Sequence, residues 1–212
     1  PYEQRPLPGT LFQAVTQTRD RHPQRPAISF QLFSAPGAPA QTLTWTDLHE
    51  RVTETANLFH TLGIGPRDVV AYLLPNCLEA PVVVLAGATV GIVNPINPLL
   101  DAEQIAGILR ETGAKVLVTL KSFPKTDVAQ KAAEAAAKAP NVQTVLEVDL
   151  RGYLTGIKRL LVPLMRPKTP VRHSAKVLGF EAAASAQRHD RLIFDEADGD
   201  RDTVRIEVKD DR

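Results

Sequence analysis

Few residues of this sequence could do chemistry, and their spacing matches none of the common catalytic motifs. Five histidines are spread along the chain, and only His49 and His60 are close enough to share one helix. Eleven residues separate them, about 16 Å along a helix axis, which is too far for both to bind one metal ion. The spacing therefore predicts no catalytic residue and no metal site, and it leaves cofactor-binding residues unassigned. These five histidines are His22, His49, His60, His173 and His189.

The single cysteine, Cys77, follows Asn76, which together with Glu79 is predicted to cap the next helix. A thiol near a helix N-terminus has a lowered pKa and can act as a nucleophile. No base accompanies Cys77 in the sequence, so we expect it to be structural. One cysteine cannot form an intramolecular disulfide, which favours a cytoplasmic protein.

The tail at 195–212 is acidic, because residues 189–212 hold nine acids and five cations. Four aspartates in it resemble a calcium loop, but their spacing is not that of an EF-hand, and we expect a solvated loop. Residues 204–208 alternate apolar and charged side chains, a pattern typical of an edge strand. The four aspartates are Asp195, Asp198, Asp200 and Asp202.

The segment 151–176 has the opposite bias, with seven cations and no acid. It also carries an apolar stripe from Tyr153 to Leu164, interrupted by Pro163. Such a segment can lie on an anionic membrane or contact an acidic partner. We favour a surface helix with a solvated basic face, because Pro163 shortens the helix and no lipidation motif is present.

Charge and composition exclude several classes of protein. The net charge of +1 offers no basic field for nucleic acid, so we expect no nucleic-acid partner. A hydrophobic fraction of 43% and a charged fraction of 23% are ordinary for a globular protein. The longest apolar run, residues 81–93, is too short to span a bilayer and predicts a buried helix with small residues at a close contact.

Helix and strand patterns alternate from Leu11 to about Leu150. Apolar runs predict strands, and caps such as Thr44 with Asp47, or Asp101 ahead of Gly113, predict helices. Alternation over 140 residues predicts an α/β fold in which helices are layered on a largely parallel or mixed sheet. The predicted strands are 26–30, 42–44, 68–74, 115–120 and 143–148, and the predicted helices begin near Thr10, Thr44, Asn76, Asp101 and Thr126.

Five blocks of the sequence resemble the AMP-forming acid–CoA ligase (acyl-CoA synthetase) family of the adenylating superfamily. In their order and their residues they are most similar to fatty-acid ligases, and the similarity is good from Leu11 to about Leu120 and weaker from there to Phe194. The blocks are TLTWTDLHERV at 42–52, LGIGPRDVVA at 62–71, LPNCLE at 74–79, LAGATVGIVNPINPLL at 85–100 and TGAKVLVT at 112–119.

The resemblance implies an N-terminal α/β subdomain over residues 1–194 of such a ligase. Enzymes of this family react an acid with ATP to form an acyl-adenylate and release pyrophosphate, and the CoA thiol then displaces AMP to give the acyl-CoA. ATP, Mg²⁺, CoA and a carboxylic acid are therefore the implied cofactors and substrates, with Mg²⁺ and hydrogen-bond donors on the phosphates.

The sequence departs from that family after Phe194. The Ser/Thr/Gly-rich phosphate loop, the ribose-binding Asp and the late catalytic Lys have no matching positions, so we expect this chain alone to be inactive. Residues 195–212 resemble a strand from a distant segment of the enzyme. Two alternatives stay open: a non-catalytic α/β binding module, and an adenylating enzyme whose acceptor is a carrier protein. The residues do not determine the oligomeric state.

Overall fold

The computed structural model describes residues 8–32, 38–124, 126–154 and 173–194. The tail at 195–212 and most of the basic segment 151–176 lie outside these residues. The solvated acidic loop, the edge strand and the surface helix with a basic face therefore remain predictions.

Six helices and seven strands alternate along the described residues. The helices are α1 (Leu11–Arg21), α2 (Trp45–Thr61), α3 (Glu79–Val90), α4 (Ala102–Thr112), α5 (Val128–Ala137) and α6 (Phe180–Ser185). The strands are β1 (Pro26–Phe30), β2 (Gln41–Thr44), β3 (Val69–Leu73), β4 (Ile92–Pro95), β5 (Val116–Leu120), β6 (Thr144–Val148) and β7 (Lys176–Gly179). A 3-10 turn covers Leu150–Tyr153.

The main sheet has the strand order β4-β3-β5-β6-β7, and all its pairs are parallel. From β3 the chain crosses to β4 at one edge of the sheet, and from β4 it crosses back over β3 to β5 and on towards β7 at the other edge. Because parallel crossovers are right-handed, α3 lies on one face of the sheet and α4 and α5 lie on the opposite face. Helix α2 packs on α1, α3 and α6, and α4 packs on α5. Strands β1 and β2 form a separate antiparallel hairpin. The predicted α/β fold with a parallel sheet is confirmed.

The central strands are buried on both faces, as their continuous apolar sequences predict. Every residue of β5 is buried, and so are four of the five residues in each of β3 and β6. Because no face of these strands meets water, their side chains supply the centre of the core, with Leu73, Leu117 and Leu146 fully buried.

The predicted helix ends follow local hydrogen bonding. Thr44 and Asp47 form a reciprocal capping box at α2, and Asp101 forms one with Gln104 at α4. Gly63 and Gly113 adopt positive φ values of 80° and 65° after these helices, where a left-handed residue ends the helix.

The predicted cap of α3 is wrong. Neither Asn76 nor Glu79 caps the helix, because Leu78 occupies the cap position and makes no side-chain cap bond. The Leu78 N–H instead donates to the Tyr153 hydroxyl, 2.9 Å away. A partner 75 residues distant replaces the local cap, so no local pattern could reveal it.

Strand β4 and the pair β7–α6 had no sequence prediction. The two Asn-Pro pairs at 94–98 indicate only a non-helical backbone, and tertiary pairing with β3 makes this stretch a strand. Strand β7 is only four residues long and mostly exposed, with Val177 42% exposed, so it lacks the buried apolar pattern of a central strand.

The apolar run 81–93 packs closely, as its small residues predict. A methyl group on Gly87 would lie 2.9 Å from the Cβ of Val93, and one on Gly91 would lie 2.7 Å from the carbonyl oxygens of both Gly65 and Asp68. The run is divided between α3 and β4, and glycine allows the chain to reverse tightly between them. Within the described residues, no helix is long and apolar enough to cross a membrane.

Candidate functional site

Doubly wound sheets bind ligands outside the carboxyl ends of their strands, where the strand order reverses. In this sheet that point lies between β3 and β5. The chain after β3 is buried there at Leu74, Cys77 and Leu78. Tyr153, which is 8% exposed, reaches this chain from the turn after β6. Protein side chains therefore occupy the usual ligand position.

Tyr153 is held by contacts from three directions. Its hydroxyl accepts from Leu78 N–H and donates to Glu79 Oε2 at 2.6 Å. Phe30 of the hairpin packs against its ring edge-to-face at 5.0 Å, and Gln41 Nε2 donates to the neighbouring Gly152 carbonyl at 3.1 Å. Burial is the main cause that raises the pKa of Tyr153 well above its ordinary value, and the hydrogen bond to Glu79 is the second cause. The hydroxyl therefore remains protonated and joins β1–β2, α3 and the 3-10 turn.

The open cleft of the domain lies beside Tyr153, between α2, α3, α6 and the 3-10 turn. It consists of two adjoining cavities of about 400 and 560 Å³ that share Arg51, Glu79 and Glu181. The smaller cavity has a partly apolar wall formed by Val82, Phe180 and neighbouring alanines. Its remaining wall residues are Glu54, Thr55 and Ser185, and the larger cavity adds Gln41, Asp149, Arg151, Gly152 and Tyr153.

Carboxylates outnumber cations in this cleft. Glu54, Glu79, Asp149 and Glu181 line it together with Arg51 and Arg151. Burial raises the pKa of Glu54 and of Glu181, with the charge of Glu79 adding to the effect at Glu181. The cleft therefore favours neutral or cationic groups over anions.

The cation Arg151 is already paired within the cleft. Its Nε lies 2.8 and 2.9 Å from the two carboxylate oxygens of Asp149, and Nη2 also contacts that carboxylate. Burial would raise the pKa of Asp149, but the hydrogen bonds and charge of Arg151 outweigh burial and lower it. This leaves Arg51 as the other cation facing the four acids.

A magnesium–nucleotide complex does not fit these residues. A triphosphate needs convergent donors and cations, whereas four carboxylates would repel it. Among the described residues no group of three or more His, Cys, Asp or Glu side chains is placed to hold a metal ion. The two adjoining cavities therefore form a polar cleft whose carboxylates do not suit a nucleotide triphosphate.

The structure separates the residues that the sequence singles out. Cys77 is buried, and burial together with the charge of Glu79 raises the pKa of its thiol to about 12, so it is protonated at neutral pH. His49 is 4% exposed and lies between Phe12 and the Arg19 guanidinium. His60 stacks on Phe194 at the far end of α2, and no two of these three residues meet in the cleft.

Sequence analysis missed the residues that build the cleft. It assigned Tyr153 to the apolar stripe of the basic segment, and Glu54, Glu79 and Glu181 give no motif. Their only sequence signal is position, since Asp149 and Glu181 follow the ends of β6 and β7 within two residues. Parallel strand ends share one edge of the sheet, and that rule could have placed these acids together.

Comparison with known proteins identifies the family. The model of the AMP-binding enzyme family matches residues 15–170. The chain belongs to the AMP-binding enzyme family. The resemblance seen in the five sequence blocks is thereby confirmed at the level of the family.

Similar curated members of this family are named as acid–CoA ligases. A marinolic acid–CoA ligase from Pseudoalteromonas sp. (strain SANK 73390) is 33% identical over 108 residues, which cover 51% of this chain and 16% of the relative. A long-chain fatty-acid–CoA ligase from Bacillus subtilis (strain 168) is 27% identical over 192 residues, or 88% of this chain and 31% of the relative. The chain thus spans about a sixth to a third of these relatives.

A solved structure supports the fold. The acetoacetyl-CoA synthetase from Streptomyces lividans matches with a TM-score of 0.65 and 20% identity, over 86% of this chain and 26% of that protein. The mixed α/β arrangement with its five-stranded parallel sheet corresponds to an N-terminal portion of that fold.

Proposed function

We propose that this chain is the N-terminal part of an ATP-dependent carboxylic acid–CoA ligase. The complete enzyme converts acid, ATP and CoA to acyl-CoA, AMP and pyrophosphate through an acyl-adenylate. The observation that carries the proposal is the family match over residues 15–170, together with relatives named as acid–CoA ligases. Magnesium on the nucleotide phosphates belongs to the same proposal.

A fatty acid is the proposed substrate. The long-chain fatty-acid–CoA ligase of B. subtilis aligns over 88% of this chain, whereas the marinolic acid and acetyl-CoA relatives align over 51% and 52%. The order of the sequence blocks gives the same preference. This support comes from similarity, because the described cleft is acidic and does not resemble an acyl tunnel.

We further propose that the 212-residue chain does not form adenylate alone. The acidic character of its cleft disfavours a triphosphate, so the nucleotide, magnesium and CoA sites belong to other parts of the enzyme. The described residues would then serve as a scaffold against which those parts pack.

The test measures pyrophosphate release by the product of the whole parent gene and by the 212-residue chain. Acetate, octanoate and palmitate are compared, each with and without CoA. We expect release by the whole product, fastest with palmitate and sustained only with CoA, and none by the chain. Sustained turnover without CoA would indicate another acceptor, and no release with any acid would refute the ligase.

Peripheral membrane contact through 151–176 is a separate proposal, supported by seven cations in a segment without acids. Flotation with liposomes containing 30% anionic lipid should recover the protein, and neutral liposomes should not. Exchanging Lys158, Arg159 and Arg166 for glutamine should abolish the difference. Equal flotation with both liposomes would contradict an electrostatic contact.

A further inference from the structure

The chain after α6 returns to α2 and is fastened there by one side chain. Asn57, which is completely buried, donates from Nδ2 to the carbonyl oxygens of Arg188 at 2.8 Å and Arg191 at 3.0 Å. Its Oδ1 accepts from Ile193 N–H at 2.9 Å. A single amide therefore satisfies three backbone groups of a segment without regular secondary structure.

Two neighbouring residues of α2 extend this contact. Thr61 lies 3.4 Å from the Gln187 side chain, and the ring of His60 stacks on Phe194 with 4.7 Å between centroids. The residues that fasten the chain thus occur at 57, 60 and 61, one face of the last turns of α2. We call segment 187–194, held in this way, the return segment.

The same helix forms a wall of the cleft. Arg51, Glu54 and Thr55 lie on α2, and the opposite wall is α6, which directly precedes the return segment. The hydrogen bonds from α2 to the return segment therefore add to the direct packing of α2 on α6 in holding the two walls together. Fastening the return segment also fixes the position of Phe194, whose ring stacks on His60.

We propose that Asn57 is a positioning residue for adenylate formation in the complete ligase. By holding the return segment, it helps to keep the α2 and α6 walls of the cleft in the one geometry against which the other parts of the enzyme pack. This inference rests on the proposed function. Asn57 touches no substrate and acts through the backbone of the return segment.

The amide chemistry makes the role testable. Alanine removes all three hydrogen bonds and leaves three part-buried backbone groups without their partner. Aspartate keeps an acceptor for Ile193 N–H, and it can donate to one carbonyl only when it is protonated. Asn57→Asp should therefore approach the wild type as pH falls, whereas Asn57→Ala should not.

The first experiment is hydrogen exchange on the 212-residue chain. We expect Asn57→Ala to speed hydrogen exchange of the backbone amides in residues 187–194 at least tenfold. The amides of β3, β5 and β6 should exchange no faster than the change in the global free energy of unfolding accounts for. Thr53→Ala is the matched control, since Thr53 is a buried polar residue of α2 that bonds its own helix at His49. Unchanged hydrogen exchange in residues 187–194 would show that Asn57 does not hold the return segment in place.

The second experiment measures ATP–pyrophosphate exchange by the complete ligase at a temperature where all variants are folded. Asn57→Ala should lower kcat at least tenfold and change the KM values for ATP and for the acid less than threefold. The kcat of Thr53→Ala should stay within twofold of the wild-type value. The ratio of Asn57→Asp to wild-type activity should rise as pH falls from 8 to 6. A flat ratio, or equal losses in Asn57→Ala and Thr53→Ala, would overturn positioning.

These outcomes separate the inference from the proposed function. A wild-type enzyme that performs no exchange refutes the ligase, and positioning for adenylate formation falls with it. An active wild type with an active Asn57→Ala variant refutes positioning alone.

Discussion

The two faces of the parallel sheet are built in different ways. On one face α4 and α5 pack through small apolar side chains, and their polar cross-links join residues 27 to 35 positions apart. On the other face α2, α3 and α6 also pack through apolar side chains, and buried polar groups tie α2 and α3 to distant parts of the chain. Tyr153 there bonds residues 74 and 75 positions away, and Asn57 bonds residues 131 to 136 positions away.

This difference indicates that the α4–α5 face mainly stabilises the fold, whereas polar contacts of the α2–α6 face also position particular segments. The α4–α5 face needs only apolar residues at helical spacing, so many sequences could fill it. The α2–α6 face depends on particular donors and acceptors, and it is this face that bounds the open cleft. We therefore expect substitutions on the first face to lower global stability, and substitutions on the second to act through single polar contacts.

The largest expected effect is on the apolar face. Leu109→Ala removes a side chain of α4 that is completely buried, and the cavity should lower the free energy of unfolding by about 2–5 kcal/mol. Urea denaturation measures this loss. Glu111→Ala on the exposed side of α4 is the control, expected within about 0.5 kcal/mol. A loss below about 1 kcal/mol for Leu109→Ala would contradict a close-packed face.

His49 should give the polar face a pH dependence. Burial, followed by the Arg19 charge, lowers the His49 pKa to about 4, whereas the unfolded chain binds that proton near its ordinary pKa of 6.5. Stability should therefore fall as pH drops from 6.5 towards 4, by about 2–3 kcal/mol in total. Urea titrations at several pH values measure it.

His49→Gln should remove most of that slope, and His22→Gln, which changes an exposed residue, should leave it unchanged. An identical slope in His49→Gln and wild type would show that other groups cause the acid sensitivity.

Tyr153→Phe tests one polar contact without removing the ring. Leu78 N–H loses its acceptor and Glu79 loses its donor, and buried groups left unpaired in this way lower stability by about 1–3 kcal/mol. Chemical denaturation compares it with Tyr72→Phe on β3, which should change stability by less than about 0.5 kcal/mol. Equal losses of stability in the two variants would show that the Tyr153 hydroxyl does not contribute a structural link.

The smallest effects should be the same on both faces. Thr44→Ala at α2 and Asp101→Ala at α4 each remove one capping box, and each should cost about 1 kcal/mol. Caps use partners within one turn, so the surrounding face should not matter. A difference above about 1 kcal/mol between the two variants, measured by thermal unfolding, would show that the faces also control local structure.

The sequence was informative wherever structure is local. The five apolar strand patterns and the caps at Thr44 and Asp101 all correspond to elements, because periodicity and turn chemistry act over a few residues. Strand β4 was missed because pairing with β3 overrides its two prolines, and β7 because it is short and exposed. The family resemblance came from whole blocks and not from any catalytic residue.

The cleft could not be predicted in the same way. Its residues come from β2, α2, α3, the 3-10 turn and α6, and they lie up to 144 positions apart between Gln41 and Ser185. Glu79 gives the clearest example, since it was read as a helix cap and is instead the buried acceptor of Tyr153. Only the three-dimensional order of strands and crossovers brings these groups together.

The clamp at Asn57 has a consequence for the newly made chain. Ile193 is synthesised 136 residues after Asn57, a delay of roughly 7–27 s at ordinary translation rates. Until Arg188 is made, 131 residues after Asn57, the amide has none of its three final partners, while α4 and α5 can already pack. The nascent chain therefore passes through a state in which every central strand has been made and the Asn57 amide still lacks its partners.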